Sequence, residues 1–268
     1  MANRGEIAVR VITAAHDLGI EVVLASSSAD QHSKAAKLAD RMVVLGPGPS
    51  KLSYLIPELI VHAAIMTSCD AVHPGYGFLS ERPSLPRRCK DSGVIFVGPD
   101  VSTIESLGNK VAARRIAAVS SVPMVLGTNN VKNREAAKQD ADRIGYPVLI
   151  KAASGGGGRG MFIAKDSKDI DSMFDNAAKE AKDAFGDESL YLEQYVENAR
   201  HVEVQIAGDG KGNAVHLGDR DCSVQRRYQK VIEEGPCSVM PEEVRDSMRA
   251  AAVKLMSDIK YCNVGTVE

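Results

Sequence analysis

The sequence predicts an α/β protein in which an open parallel sheet is followed by a second unit that contains antiparallel strands. Three observations support this fold class. Residues 5–98 alternate between helical and strand-like patterns, which favours a parallel sheet covered by helices. A glycine-rich run at 151–161 lies between two strand-like apolar stretches. From His201 onward, polar and apolar residues alternate with a period of two, the pattern of a strand with one buried face.

Each element of the first part follows from local periodicity. Apolar residues at helical spacing over 7–18 predict a first helix, and Gly19 is suited to end it. The remaining elements are a strand at 21–25, a helix at 33–39, a strand at 42–45, a helix at 52–66 with an irregularity at Pro57, a short strand at 71–72, a helix that ends near 92 and a strand at 94–97. The loop at 73–77 follows a strand end, where open α/β sheets tend to bind ligands. A structural turn is an equal alternative for this loop.

The second part changes to antiparallel patterning. Residues 100–121 predict a helical connection, after which a smaller unit extends to about 195. Its elements are strands at 146–150 and 161–164, an amphipathic helix at 169–184 and a strand at 190–194. The last elements are an alternating strand at 201–206, a hairpin turn at 209–213, a strand at 214–217, a helix at 241–259 and a strand that begins at 264.

Composition excludes several classes of function. The 268 residues suffice for one large domain or two smaller ones, and the net charge of −2 indicates neither a nucleic-acid-binding nor a membrane surface. No apolar run approaches the roughly 18 residues of a membrane span, and the first residues lack an apolar signal region. The five scattered cysteines have no CxxC spacing, which favours reduced thiols and no zinc site. A cytoplasmic protein is therefore expected.

The glycine-rich run indicates a flap that binds phosphate. Four consecutive glycines permit tight backbone turns whose N–H groups can bind an anion, and Lys151 and Arg159 add positive charge. A Walker P-loop needs Gly-Lys-Ser/Thr before a helix, and a dinucleotide fingerprint also leads into a helix, whereas this run leads into a strand. From these residues alone, a flexible hairpin with incidental charges is the alternative.

Two further segments hold candidate polar groups. His201, Glu203 and Gln205 lie on one face of the alternating strand, where a solvated sheet face is the simpler explanation. Residues 220–234 place cationic side chains near carboxylates, between strand-like stretches. Such a charge run is usually a solvated surface. Here it could instead line a pocket that holds a small anion and stabilises charge developing during group transfer.

Six stretches together resemble the biotin carboxylase family of ATP-grasp enzymes. In family order and at family spacing, they are ANRGEIAVR, HPGYGFLSE, FVGPD, GGGGRGM, YLEQYVENARHVEVQ and GDRDCSVQRRYQKVIEEGP. The resemblance covers nearly the whole chain and disfavours another ATP-grasp ligase of the carbamoyl phosphate synthetase type. It implies a Rossmann-like, pre-ATP-grasp domain at 1–98 and a helical connection at 99–122. An ATP-grasp lid subdomain would follow at 123–195, and the first part of a C-terminal subdomain at 196–268.

The resemblance also implies a reaction and its participants. ATP and bicarbonate would form carboxyphosphate, which then carboxylates N1′ of biotin on a biotin carboxyl carrier protein or domain. Mg²⁺ or Mn²⁺ would be the metal cofactor. This is the first half-reaction of an acyl-CoA carboxylase, such as acetyl-CoA carboxylase in fatty acid biosynthesis, where a separate carboxyltransferase subunit sets the final acceptor. A homodimer is a further expectation, because family members are often dimers.

Matched position by position, the family's functional residues fall on named residues of this chain. The implied ATP-phosphate contacts are Lys110, Lys151, Gly157, Gly158 and His201. The implied adenine and ribose contacts are Glu193, Gln194, Tyr195, Val196 and Tyr228. Lys230 is implied to hold bicarbonate, and Gln225 to line the bicarbonate and biotin side of the pocket. Glu268 corresponds to the first metal-binding carboxylate.

Three departures from the family pattern bear on these expectations. Tyr228 stands where the family has histidine or asparagine, although its phenol can still form a hydrogen bond. The family's short apolar strand before ANRGEIA is lacking, which predicts that a central strand is missing or truncated and that a sheet edge is exposed. The chain ends at Glu268, before the family's second metal carboxylate, its metal-site asparagine, and its bicarbonate-site arginine and glutamate.

The third departure predicts that the ATP-grasp module is incomplete. One hypothesis is a piece of a biotin carboxylase that is poorly active by itself. The other is a nucleotide-binding ATP-grasp module without ligase activity. Bicarbonate-dependent ATP hydrolysis, compared with nucleotide binding, separates the two hypotheses.

Overall fold

Helices and strands alternate through two units of the chain. The computed structural model describes residues 1–108, 110–128, 130–153, 161–226 and 229–268, except for the side chains of Lys110, Val111 and Phe185. The first unit consists of 1–105 with 262–264, and the second of 106–261 with 265–268. Parallel pairing in the first unit and antiparallel pairing in the second confirm the predicted fold class. The finer domain boundaries at 98, 122 and 195 stay a prediction.

The first unit is built from short parallel strands and the helices that cover them. Its elements are α1 (Gly5–Asp17), β1 (Val23–Ser27), α2 (Lys34–Leu38), β2 (Arg41–Gly46), α3 (Pro57–Met66), β3 (Ala71–Val72), α4 (Ser84–Asp91) and β4 (Ile95–Phe96). β1 pairs in parallel with β2, and β3 pairs in parallel with β4. All five residues of β1 are buried, as expected for a parallel strand covered on both faces.

The first two residues occupy the place of the central strand that was predicted to be missing or truncated. The Met1 amino group donates to the Val23 carbonyl at 2.7 Å, and the Ala25 N–H donates to the Met1 carbonyl at 3.0 Å. The Ala2 N–H then donates to the carbonyl of His73 at 2.9 Å. Met1 and Ala2 therefore lie between β1 and the end of β3. The expected exposed edge along β1 is wrong, because these backbone groups are paired.

Helix α3 begins later than the sequence pattern predicts. The apolar periodicity starts at 52, but the structure has a 3₁₀ turn at Ser50–Leu52, and the α-helix begins at Pro57. Proline has no N–H to donate and its ring blocks the preceding turn, so it is suited to the first helical position and not to the interior. The irregularity expected at Pro57 is therefore the start of the helix.

The second unit contains two antiparallel sheets. Helix α5 (Val101–Gly108) contains the boundary between the units. The elements that follow are α6 (Lys110–Val119), α7 (Arg134–Ile144), β5 (Val148–Ala152), β6 (Met161–Ala164), α8 (Ser167–Phe185), β7 (Leu190–Gln194), β8 (Val202–Asp209), β9 (Ala214–Arg226), β10 (Gln229–Glu234), α9 (Glu242–Asp258) and β11 (Cys262–Val267). The strand orders are β6-β5-β7 and β10-β9-β8-β11.

The β6-β5-β7 sheet packs its apolar face against α7 and α8. Ile150 and Leu192, opposite each other on β5 and β7, are fully buried, and burial of each contributes about 2 kcal/mol. The sequence analysis missed α7. Asn133 caps this helix by accepting the Ala136 N–H at 2.9 Å, and Ala137 and Ala141 bury its inner face. The small alanines make this apolar stripe weak, which explains the omission.

The second sheet extends further than predicted. β9 continues to Arg226, and β10 follows at Gln229–Glu234, so the described residues of the charged run, 220–226 and 229–234, lie in strands and not between them. The alternation along β8 is confirmed for its apolar side, since Val202, Val204 and Ile206 are buried. Helix α9 packs against β8 and β9.

Two further features concern the described residues as a whole. None of the described helices has both the length and the apolar composition that crossing a bilayer requires. The five cysteines are all free thiols, and three of them are buried: Cys89, Cys222 and Cys237.

Candidate functional site

Lys151 lies at the end of β5, where the strand leads toward the glycine-rich run. Lys151 is opposite Tyr191 in the β5–β7 register, and Glu193 lies two residues further along the same face of β7. The Lys151 Nζ donates to Glu193 Oε2 at 2.8 Å. It also lies 5.5 Å from the centroid of the Tyr191 ring. Burial acts to lower the pKa of Lys151, but hydrogen bonds to Glu193 and Tyr191 outweigh it and raise that pKa above its ordinary value.

Arg114 is a third charged member of this group, and the sequence analysis missed it. Its Nη1 donates to Glu193 Oε1 at 3.0 Å, and its Nη2 donates to the Val125 carbonyl at 3.0 Å. Arg114 follows Lys110 by four residues on α6, and positions four apart lie on one face of a helix. That spacing is the signal that could have found it. We call Arg114, Lys151, Tyr191 and Glu193 the Lys151 cluster.

The segment after Glu193 is held by backbone hydrogen bonds. The Gln194 N–H donates to the Leu126 carbonyl at 2.8 Å, and the Tyr195 N–H donates to the Pro147 carbonyl at 3.0 Å. Val196 follows with an exposed side chain. These contacts place the predicted hinge beside the Lys151 cluster, since β7 runs directly from Glu193 into it.

A second group of charges surrounds Glu203 on the other sheet. The β8–β9 register sets Glu203 opposite Arg220, and Arg220 Nε donates to Glu203 Oε1 at 2.5 Å. Lys230 Nζ donates to Glu203 Oε2 and to Glu268 Oε1 at 2.6 Å. The Glu203 side chain is 3% exposed. We call Glu203, Arg220, Lys230 and Glu268 the Glu203 cluster. The solvated face favoured for Glu203 by sequence alone is therefore wrong, because two cations permit its burial.

Gln225 and His201 adjoin this cluster. Gln225 lies opposite Lys230 in the β9–β10 register. The Gln225 Nε2 is 2.7 Å from His201 Nδ1 and donates to the Cys222 carbonyl at 2.8 Å. The His201 Nε2 lies 3.6 Å from Glu268 Oε2. The sheet thus brings together four predicted site residues from three separate parts of the sequence: His201, the β9–β10 pair Gln225 and Lys230, and Glu268.

The electrostatics of the Glu203 cluster follow from these contacts. Burial acts to raise the pKa of Glu203, but hydrogen bonds from Lys230 and Arg220 outweigh it and lower that pKa. Burial similarly acts to lower the pKa of Lys230, and its bonds to Glu203 and Glu268 reverse the effect and raise it. Burial and the nearby Glu203 charge raise the pKa of the Cys222 thiol to about 11, so Cys222 is a neutral thiol near pH 7. Lys230 is a stable cation suited to binding an anion.

The residues present fit a hard cation at one position. Glu268 offers the carboxylate oxygens that Mg²⁺ prefers, and about half of its side chain is exposed. Donor atoms of His201, Glu203 and Glu268 lie within 4.8 Å of one another among the described residues. Glu203, however, is buried and already engaged by Arg220 and Lys230. Glu268 is therefore the carboxylate of this group that is more accessible to a hard cation.

Some predicted site residues lie outside what the structure describes. These are Gly157, Gly158, Tyr228 and the side chain of Lys110. Of the others, Lys151 and Glu193 meet in the Lys151 cluster, and Lys230, Gln225, His201 and Glu268 meet around Glu203. Contacts alone assign none of these residues a ligand.

The chain matches two family profiles. Residues 1–104 match "Biotin carboxylase, N-terminal domain", and residues 109–268 match "Carbamoyl-phosphate synthase L chain, ATP binding domain". Over 269 aligned residues, the chain is 46% identical to biotin carboxylase 2, chloroplastic, from Populus trichocarpa; the match includes 100% of this chain and 51% of that protein.

Two solved structures have folds that are similar to the fold of this chain. A β,γ-ATP complex of biotin carboxylase from Campylobacter jejuni has a TM-score of 0.95 at 41% identity, covering 99% of this chain and 60% of that one. The biotin carboxylase domain dimer of Hydrogenobacter thermophilus 2-oxoglutarate carboxylase, with MgADP, ADP and bicarbonate, has a TM-score of 0.93 at 42% identity, covering 99% and 58%. The chain thus spans about half the length of the proteins that it resembles.

Proposed function

Because the chain belongs to the biotin carboxylase family of ATP-grasp proteins, we propose that it takes part in the ATP- and bicarbonate-dependent carboxylation of biotin. The observation that carries this proposal is the convergence of Lys230, Gln225, His201 and Glu268 on neighbouring strands. These four residue types suit a site that holds a small anion beside a phosphate and a metal. The bound ATP analogue, MgADP and bicarbonate of the structural relatives support the same ligands.

The proposed reaction has two steps. A bicarbonate oxygen attacks the γ-phosphorus of ATP, which forms carboxyphosphate and releases ADP. The carboxyl carbon then forms a bond to N1′ of biotin as its C–O bond to phosphate breaks, and the inorganic phosphate that leaves takes the N1′ proton. Cationic groups at fixed positions stabilise the charge that develops on the transferred groups.

Each residue of the site has a role in this proposal. Lys230 holds bicarbonate, and Gln225, whose Nε2 lies between His201 Nδ1 and the Cys222 carbonyl, lines the bicarbonate and biotin side of the pocket. Lys151 holds ATP phosphates together with Lys110, Gly157, Gly158 and His201. Glu193 contacts the ribose, and the backbone of Gln194, Tyr195 and Val196, with Tyr228, forms the nucleotide pocket.

Glu268 is the proposed protein ligand for Mg²⁺ or Mn²⁺. The metal would neutralise phosphate charge when bound. Glu268 now accepts a hydrogen bond from Lys230. Glu268 would hold the metal, and Lys230, which also donates to Glu203, would hold bicarbonate.

The wider context is part of the same proposal. Biotin would be presented by a biotin carboxyl carrier protein or domain, and a carboxyltransferase subunit would use the carboxybiotin to carboxylate an acyl-CoA. We place this activity in the cytoplasm, in fatty acid biosynthesis, and in a homodimer.

The deciding experiment measures ATP hydrolysis in the presence of Mg²⁺ and free biotin, with and without bicarbonate. Wild type should hydrolyse ATP faster when bicarbonate is added. Lys230→Met should raise the KM for bicarbonate and retain ATP binding, because Lys230 belongs to the bicarbonate side of the site. Lys211→Met is the matched control, since Lys211 lies exposed on the β8–β9 turn of the same sheet.

The nucleotide half of the site is tested by Lys151→Met. Loss of this partly buried ammonium should weaken ATP binding by about tenfold or more, measured by calorimetry. Equal ATP affinity in Lys151→Met and wild type would refute the role of Lys151. ATP binding without bicarbonate-dependent hydrolysis would refute ligase activity of this chain and favour a nucleotide-binding module.

A further inference from the structure

Glu193 has one carboxylate oxygen for each of two cations. Its Oε2 accepts from Lys151 Nζ at 2.8 Å, and its Oε1 accepts from Arg114 Nη1 at 3.0 Å. The three side chains are only 15% to 19% exposed. Charges that are this well buried interact more strongly than surface ion pairs, because solvent screens them less. The negative charge of Glu193, and whether another cation balances it, therefore affects how strongly Lys151 attracts an anion.

Charge balance shows what Arg114 contributes. Lys151 and Glu193 by themselves form a neutral pair, which attracts an incoming phosphate weakly. With Arg114 the group contains two cations and one anion, so one net positive charge remains. We propose that Arg114 is a positioning residue that neutralises Glu193, so that Lys151 keeps its positive charge available for the polyphosphate tail of a nucleotide.

The local backbone is shaped to admit the Arg114 guanidinium. Gly127 forms an isolated antiparallel bridge with Glu193. A Cβ at Gly127 would lie 2.7 Å from the Leu192 carbonyl oxygen and 3.0 Å from Arg114 Nη2. Any larger side chain would therefore push the strand or the guanidinium away. The same Nη2 donates to the Val125 carbonyl at 3.0 Å, which holds the guanidinium against this stretch of backbone.

This inference rests on the proposed function, since it assumes that Lys151 binds ATP phosphates. It adds a residue that belongs to none of the predicted nucleotide contacts. Arg114 acts through Glu193 and Lys151, and the ligand class is an oligophosphate.

The test compares three variants of the full 268-residue chain. Arg114→Met removes the charge at similar length, Arg114→Lys keeps the charge but cannot reach both acceptors, and Arg115→Met is the matched control. Arg115 is the next residue on α6 and is exposed. Calorimetry measures the affinities for ATP, for uncharged adenosine and for inorganic tripolyphosphate. The last probe reports the anion site without any contribution from adenine.

The expected result is a loss that scales with ligand charge. Arg114→Met should weaken ATP and tripolyphosphate by about tenfold and leave adenosine within about twofold. Arg114→Lys should recover most of the lost affinity, and Arg115→Met should match wild type. The loss should shrink at high salt, because added ions screen the charge.

Several results would overturn the inference. Equal ATP affinity in Arg114→Met and wild type would do so, and so would an equal loss of ATP and adenosine, which would mean that Arg114 is only structural. Failure of Arg114→Lys to recover affinity would have the same meaning. If wild type binds tripolyphosphate but not ATP, the proposed nucleotide function fails while the role of Arg114 stays measurable. If wild type binds neither probe, both fail.

Discussion

At the scale of single residues, Glu203 is a buried carboxylate whose charge depends on two neighbours. Arg220 and Lys230 each bond one of its oxygens. Removing the negative charge leaves both cations without their main partner in a poorly solvated place, which is costly. Because the two cations keep about a quarter of their surface exposed, water offsets part of this cost.

We therefore predict that Glu203→Gln lowers the free energy of unfolding by about 2–3 kcal/mol. Urea unfolding at pH 7 measures the change. Glu233→Gln is the matched control, because Glu233 is half-exposed and lies 3.8 Å from Arg220 Nε, so its loss should cost under about 1 kcal/mol. Equal destabilisation by the two substitutions would contradict the explanation that burial makes the Glu203 charge contribute more to stability than the Glu233 charge.

At the scale of elements, the attachment of α9 to β9 depends on one buried carboxylate. Asp219 of β9 accepts hydrogen bonds from Arg249 Nε at 2.6 Å and from the Cys237 N–H at 2.7 Å, and Arg245 Nε lies 3.3 Å away. Burial acts to raise the pKa of Asp219, but the Cys237 N–H and the Arg249 guanidinium outweigh it and hold that pKa below its ordinary value. The ionised form is therefore the one that stabilises the fold.

The pH dependence follows from the direction of this shift. The stability that Asp219 contributes is fully present above the pKa of an aspartate in the unfolded chain, about 4. It is lost as the pH falls through the lower pKa of the folded state. We predict that Asp219→Asn lowers the free energy of unfolding by about 3 kcal/mol at pH 7. The difference from wild type should shrink as the pH falls below about 4.

Urea unfolding at a series of pH values measures this difference. Asp246→Asn is the control, because Asp246 also pairs with Arg249 but is 66% exposed. It should change stability by under about 1 kcal/mol at every pH. A difference between Asp219→Asn and wild type that stays constant down to pH 3 would show that the carboxylate charge is not the cause.

At the scale of the whole molecule, the nucleotide should stabilise one unit of the chain. Lys151, Arg114 and Glu193 all belong to the second unit. Ligand bound to the folded state alone adds about 2.7 kcal/mol to its stability at one hundred times the Kd. We predict that ATP slows hydrogen exchange of the β5 and β7 amides and leaves the β1 and β2 amides unchanged.

Hydrogen exchange measured by mass spectrometry provides this comparison. Lys151→Met at the same ATP concentration is the control, and it should show little added protection in β5 and β7. Protection that increases mainly in residues 1–105 would contradict the assignment of the nucleotide site to the second unit.

Local pattern predicted much of the fold. Strand β7 was predicted at its observed bounds, 190–194, and the apolar side of β8 is buried as its alternation indicates. Helix α7 was missed because its buried face consists largely of alanines. The full lengths of β9 and β10 were not predicted, because their charged residues are typical of a solvent-exposed loop. In the structure, residues on the neighbouring strands neutralise these charges. The spacing of apolar residues indicates which face of an element is buried. That indication is wrong where charged side chains are buried as ion pairs.

The sequence by itself determined the fold class and the family, because motif order and side-chain period are properties of the chain, and the site residues that it implies stay a prediction. Only the tertiary structure decided the partners. It joined Glu193 to Arg114 as well as Lys151, and Glu203 to Arg220 and Lys230. The physical reason is that alternation assigns a side chain to a face, while strand register and helix packing select the residue that it meets across that face.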